Sequence, residues 1–210
     1  TTNNPMINQI IKALIEERES PEILMYKNDL VTDLDNMISG QEEAVSKIET
    51  KTTNENLISS IYKTEIERLK FMLKSYLRTR LLKIQKYYLD LIKNEKAELL
   101  SESEYQFVAK YFTYKKCIFD SFANRLHKDL KDFVDPREEG SEENPNCPVN
   151  EEMVTPPKLT KPVFVRINKN LPRTNNLGLN SKENLKMGSI MFVPYDRCKD
   201  LITAGVAEII

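Results

Sequence analysis

Between Glu55 and Lys93 apolar residues return every three or four positions: Tyr62, Ile66, Leu69, Leu73, Leu77, Leu81, Ile84, Tyr88 and Leu91. A mean step of about 3.6 residues predicts a single apolar stripe along one α-helix. No Gly or Pro interrupts the stretch, so nothing local stops the helix. At the α-helical rise it runs about 58 Å. A compact domain of this size has a radius of gyration of only about 13–15 Å. The helix therefore extends beyond one small core or shares its stripe with other helices.

Shorter helical patterns flank it. Ile7, Ile10, Ile11, Leu14 and Ile15 predict an amphipathic helix that follows Pro5. Ser20 and Pro21 suit an N-cap and a first helical position, which predicts that a second helix begins there. It carries Leu30, Leu34, Met37, Ile38, Val45 and Ile48 on one side, and Gly40 weakens it mid-course. Thr50 to Asn54 reads as a loop before the long helix. Ser101 and Glu104 have capping-box spacing. They open a run of Tyr105, Val108, Phe112, Phe119, Phe122, Leu126, Leu130 and Phe133, with Lys115 in its one gap. Asp135-Pro136 ends that helix. Four helices with short links predict a bundle.

The pattern then changes twice. Residues 135–161 combine a cluster of Glu with Pro136, Pro145, Pro148, Pro156 and Pro157, the composition of an acidic linker. After Pro162 the period falls to two: Val163, Val165 and Ile167 face one way, Phe164 and Arg166 the other. Asn168 to Asn184 is polar and reads as a loop. Ile190 to Val193 predicts a second strand ended by Pro194. Tyr195 to Ala204 predicts a short helix with Gly205 as its C-terminal cap. Val206 to Ile210 predicts a closing strand. The fold class is α+β. Residues 1–134 form an all-α helical bundle with one very long helix, residues 135–161 an acidic Pro-rich linker, and residues 162–210 a small β-rich domain. About 50 residues is marginal for a free-standing module, so this one is expected to dock on something.

Net charge is −1, which gives no global basic field. The charge is blocky, however: −6 over residues 1–60, +6 over 61–134, −6 over 135–157 and +5 over 158–210. Such blocks suit surfaces that meet partners. The sharpest local feature is Arg68, Lys70, Lys74, Arg78, Arg80, Lys83 and Lys86, with no acid among them. Like charges on one helix repel, so something offsets them. The candidates are nucleic-acid phosphates, or acidic protein from residues 1–60 or a partner. Arg78 and Arg80 suit specific pairing, because guanidinium grips carboxylates in a bidentate way.

Parts for catalysis are missing. His127 is the only histidine and lies among charged residues in the last turns of a helix, where a surface cation suits the helix dipole. Cys117, Cys147 and Cys198 are scattered and odd in number. That argues against a zinc site or a disulfide framework and for a reducing compartment. There is no Gly-rich phosphate loop. Ser60-Ile61-Tyr62-Lys63 matches Ser-x-x-Lys inside a helix, without companion motifs. Tyr105, Tyr111, Phe112, Phe119 and Phe122 recur at helical spacing, which suits core or interface over base stacking. No apolar run approaches membrane-spanning length, and no signal peptide is legible.

Three stretches carry a family resemblance. Thr64 to Tyr87, TEIERLKFMLKSYLRTRLLKIQKY, resembles the signature helix of the Sld-five subunit family of the GINS complex, a eukaryotic DNA-replication factor. Ser20 to Tyr26, SPEILMY, is similar to the family's preceding helix start. Lys186 to Ile210, KMGSIMFVPYDRCKDLITAGVAEII, is similar to its C-terminal end. The resemblance implies one of four related subunits in a heterotetramer, with a helical A domain followed by a small B domain. It implies the three other GINS subunits as direct partners. Through them it implies the Mcm helicase ring and the Cdc-forty-five protein in the nuclear CMG helicase, whose ATPase sites belong to Mcm. Two departures stand out: the family's usual N-terminal extension is absent, and the loop between Ile167 and Met187 is short.

The expected role is a non-catalytic scaffold with no cofactor and no metal. Leu69, Leu73, Tyr76, Leu77 and Leu81 are the candidates for helix interface or core. Arg78 and Arg80 are the candidates for charged pairing, and Val206, Ile209 and Ile210 for a docked C-terminal end. The alternative is a nucleic-acid-binding module that uses the basic face of Arg68 to Lys86. A lone chain with so much uncovered stripe is expected to self-associate.

Overall fold

The first apolar pattern becomes helix α1 (Pro5–Glu19), with Pro5 at its first position, where the missing N–H costs nothing. A computed structural model describes residues 5–48, 53–94, 96–123, 155–169 and 186–210. Helix α2 (Asn28–Ser46) follows, then α3 (Thr53–Lys93), a 3-10 turn (Lys96–Leu99) and α4 (Glu102–Ala123). Strands β1 (Pro162–Ile167) and β2 (Ile190–Pro194), helix α5 (Tyr195–Thr203) and strand β3 (Ala207–Ile209) complete the order. The architecture is α+β, with a small antiparallel sheet at the C-terminal end. Residues 124–154 and 170–185 lie outside the described residues, and with them His127, the expected end of the fourth helix and most of the linker.

Two helical expectations need correction. The second helix starts at Asn28, seven residues after Pro21, and Ser20 does not cap it. The Ser20 hydroxyl instead donates to the Glu22 carbonyl at 2.7 Å. The intervening residues stay irregular because tertiary contacts outweigh local propensity: the Leu24 carbonyl accepts a hydrogen bond from Arg80, and the Tyr26 ring packs against the same guanidinium. The long helix also departs from helical geometry at Tyr87 (φ −114°, ψ 19°), although neither Gly nor Pro marks the place. Gly40, by contrast, lies inside an uninterrupted α2.

The chain divides into two units. One comprises Thr1–Arg80 and Lys158–Ile210, the other Leu81–Pro157. In the first, Ile10 and Ala13 of α1, Leu34 and Ile38 of α2, and Ile66, Leu69, Met72, Leu73 and Tyr76 of α3 form one buried cluster. The periodic positions of three helices therefore converge on a single core.

A second, separate cluster lies in the C-terminal module of this unit. The sheet order is β2-β1-β3, both pairings antiparallel. Val163, Val165 and Ile167 point inward with Val193, Ala207 and Ile209, and Tyr195 and Cys198 of α5 cover them. Phe164 and Phe192 pair across the strands on the outer face, ring centroids 4.7 Å apart. Helix α5 ends in a Schellman motif. Gly205 has φ 67°, its N–H donates to the Ile202 carbonyl, and the Val206 N–H donates to the Leu201 carbonyl.

In the second unit the capping box forms as its spacing predicts. The Glu104 N–H donates to the Ser101 hydroxyl, and the Ser101 N–H donates to the Glu104 carboxylate. Ile84, Leu91 and Val108 are buried, and Tyr88 meets Tyr111 edge-on at 5.2 Å. Asp90 is buried and accepts from Asn94 Nδ2 and Lys96 Nζ, both at 2.8 Å. It thus ties down the turn after α3.

Candidate interaction surface on the long helix

The buried side of α3 follows a slightly different row from the one the apolar pattern marks. Ile66, Leu69, Leu73, Tyr76, Arg80, Ile84, Tyr87 and Leu91 are buried, again in steps of three and four. Tyr62 and Leu81, both in the apolar pattern, are exposed at 53% and 37%. Leu77 is half-buried against the core of α1–α3. The inward row therefore runs through Tyr76 and Arg80, and Leu77 and Leu81 border it.

Arg80 is wholly buried (0% exposed), and so is Glu17 of α1 (1%). Arg80 Nη1 donates to Glu17 Oε2 at 3.0 Å and to the Leu24 carbonyl at 2.7 Å. The rings of Tyr26 and Tyr76 lie 5.2 and 5.9 Å from its Cζ, within cation–π range. A buried charge is costly unless paired and hydrogen-bonded. Here carboxylate, carbonyl and two aromatic faces supply what water would.

The other cations of the stripe divide. Arg68 grips Glu65 with two hydrogen bonds of 2.9 and 2.6 Å, which hold the Glu65 carboxyl below its ordinary value and raise the Arg68 guanidinium. Lys70 donates to Glu42 of α2 and lies 3.5 Å from Glu67. The Glu42 hydrogen bond raises its ammonium. Lys86 Nζ lies 5.0 Å from the Tyr87 ring. Lys74 and Arg78 are exposed, and neither joins an ion pair among the described residues.

The side of α3 opposite its core is not simply polar. Phe71, at 69% exposure, shares it with Lys74 and Arg78. In the first turns of the helix Leu57, Ile58, Ile61 and Tyr62 are also exposed, and so is Leu82 further on. On α4, Tyr105, Tyr114, Ile118 and Phe119 are exposed. Scattered exposed apolar residues need no explanation, but helices with apolar residues on a second side call for a partner.

The expected site residues accordingly fall in two groups. Leu69, Leu73, Tyr76, Arg80 and Ile209 lie inside the chain's own cores. Arg78 and Leu81 are exposed, while Leu77, Val206 and Ile210 are half-buried. Val206 serves the α5 cap, and the Ile210 N–H donates to the Phe164 carbonyl. Among the described residues no group of three His, Cys, Asp or Glu could hold a metal ion. No described helix is long and apolar enough to cross a membrane. Ser60 and Lys63 are exposed on α3. Burial raises the Cys198 thiol to about 11, which keeps it protonated and inert.

Sequence reasoning missed Glu17. Its signal was present: Ile10, Ala13 and Glu17 follow helical spacing, which places an acid on the apolar side of α1.

Residues 32–116 match the family model described as the GINS complex protein helical bundle domain, Sld5. That range covers most of α2, all of α3 and much of α4. The chain is 27% identical to the DNA replication complex GINS protein SLD5 of Debaryomyces hansenii, over 94% of this chain and 84% of that protein. It is 25% identical to the Schizosaccharomyces pombe protein of the same description, over 93% and 87%. It is 36% identical to the Arabidopsis thaliana SLD5 protein over 47% of this chain and 45% of that one.

Proposed function

We infer, from the Sld5 family of GINS complex proteins to which this chain belongs, that it is a non-catalytic scaffold subunit of a GINS complex in DNA replication. The observation that carries this reading is the two-sided α3. One side completes the chain's own core around Arg80, and the other offers Phe71, Lys74, Arg78 and Leu81. A helix built this way joins one subunit to the next.

In this reading the partners are three other GINS subunits in a heterotetramer. Their assembly joins the Mcm ring and the Cdc-forty-five protein in the nuclear CMG helicase. Residues 1–134 act as the helical A domain, 135–161 as a linker and 162–210 as the B domain. The residues available to a partner are Arg78, Leu81 and the outer part of Leu77 on α3, with Val206 and Ile210 at the C-terminal end. Leu69, Leu73, Tyr76, Arg80 and Ile209 support that surface from beneath.

Direct nucleic-acid binding loses support, because Arg68, Lys70 and Arg80 are engaged by acids of the same chain. Few cations are left to release counterions from phosphates.

Co-expression with the three other GINS subunits of the same source, followed by chromatography with light scattering, tests the reading. One stable 1:1:1:1 complex is expected. A well-behaved monomer that ignores the other subunits would overturn it.

A further inference from the structure

The α1–α3 core and the core of the C-terminal module are separate clusters of buried apolar residues. Polar contacts bridge them. Tyr195, 1% exposed within the module, directs its hydroxyl out to Glu22 Oε1 at 2.8 Å. Lys199, one turn along α5, donates to Glu22 Oε2 at 2.8 Å. At the other end of the seat Lys12 of α1 donates to Glu208 of β3 at 2.7 Å. Lys161 donates to the Glu19 carbonyl at 3.2 Å. Glu22 and Glu208 are both mostly covered, with side-chain exposures of 15% and 19%.

We propose that the C-terminal module is a detachable arm, held on the N-terminal segment of its own chain by a polar latch whose main acceptor is Glu22. The chemistry favours this over a shared core. A fused core opens only by exposing apolar surface to water, whereas these contacts exchange for water and ions. The irregular stretch between α1 and α2 has two polar tasks: Leu24 and Tyr26 serve Arg80, while Glu22 faces the module. Tyr195 makes the latch specific, because without Glu22 a buried hydroxyl loses its acceptor. Lys12 and Glu208 then fix orientation about the Glu22 contact. The latch is independent of any sister subunit, so its failure would leave the scaffold reading untouched.

The test is a distance distribution by pulsed electron spin resonance on the full chain. Spin labels go on the exposed positions Gln9 of α1 and Arg197 of α5, in a background carrying Cys117→Ser and Cys147→Ser. The unaltered latch is expected to give one narrow distance. Lys12→Ala with Glu22→Ala is expected to move more than half of the population to a broad, longer distribution. Glu22→Gln keeps an acceptor for Tyr195 but loses the charge, and is expected to fall between the two. At 1 M salt, where the Debye length falls to about 3 Å, the unaltered latch is expected to broaden. A narrow distance unchanged in the double variant would overturn the proposal. So would loss of the sheet and helix signal in Glu22→Gln, which would make Glu22 a determinant of folding instead of a latch.

Discussion

Arg78 and Arg80 stand two residues apart on α3 and meet opposite environments. Arg80 is sealed against Glu17, Leu24, Tyr26 and Tyr76, while Arg78 is exposed, with no ion pair among the described residues. Two residues turn a helix by about 200°, so neighbours of one type can serve opposite sides. Charge alone does not say which side an arginine serves. The three-to-four spacing from Leu69 through Leu73 and Tyr76 to Arg80 does.

The contrast is broken most forcefully at Arg80. Arg80→Met leaves the buried Glu17 carboxylate without its cation, and removing one partner of a buried pair costs about 3–5 kcal/mol. Denaturant unfolding should show a loss of that size. The double variant Glu17→Leu with Arg80→Met should recover most of it, since a packed apolar pair is often neutral against a buried ion pair. A double variant as weak as the single would mean that the Leu24 and Tyr26 contacts matter more than the charge.

Leu69→Ala, at a position 1% exposed in the same inward row, should cost about 2–5 kcal/mol through the cavity it leaves. The same measurement on Leu81→Ala should give less than half that loss, because Leu81 is already partly in water. Equal losses would erase the distinction between the two rows.

On the outward side, Phe71→Ser should change stability by less than about 0.5 kcal/mol. A larger loss in thermal unfolding would place Phe71 in a core. Leu77→Asp is a poorer probe of assembly than it looks from the sequence. Leu77 packs on the α1–α3 cluster, so an acid there harms the fold as well as any interface.

The smallest effect concerns pH. The Lys12 hydrogen bond holds the Glu208 carboxyl below its ordinary value, with help from Asn168 and Arg166. A carboxyl with a depressed folded pKa adds stability that is fully present above the unfolded value of about 4.3. That stability is lost as pH falls through the folded value. Lys12→Ala should therefore lower the unfolding midpoint at pH 7, and the gap should close as pH drops below about 4. A gap that widens in acid would reverse the assignment.

Much of the fold was legible because period and punctuation agreed. The alternation of Val163, Val165 and Ile167, the cap at Gly205 and the box of Ser101 and Glu104 all rest on contacts within a few residues. The start of α2 was not legible. Ser20 and Pro21 carry the local signals of a helix start, but Arg80, far along the chain, claims the Leu24 carbonyl and the Tyr26 ring. The site was legible in kind. Arginine pairing on α3 was expected, yet only the partner's position on α1 separates Arg80, which holds the fold, from Arg78, which is left for others. Residues 135–154 and the loop 170–185 fall outside the described residues, so the linker and the short loop carry no part of this account.

The most direct test of the two-sided helix is assembly of an outward variant. The chain carrying Phe71→Asp with Arg78→Glu would be co-expressed with the three other GINS subunits, and the stoichiometry read by light scattering beside the unaltered chain. The account predicts that the unaltered chain gives a 1:1:1:1 complex. It predicts that the variant keeps native helical content and leaves the complex. A variant that assembles with unchanged stoichiometry would contradict the claim that the outward side of α3 faces a sister subunit.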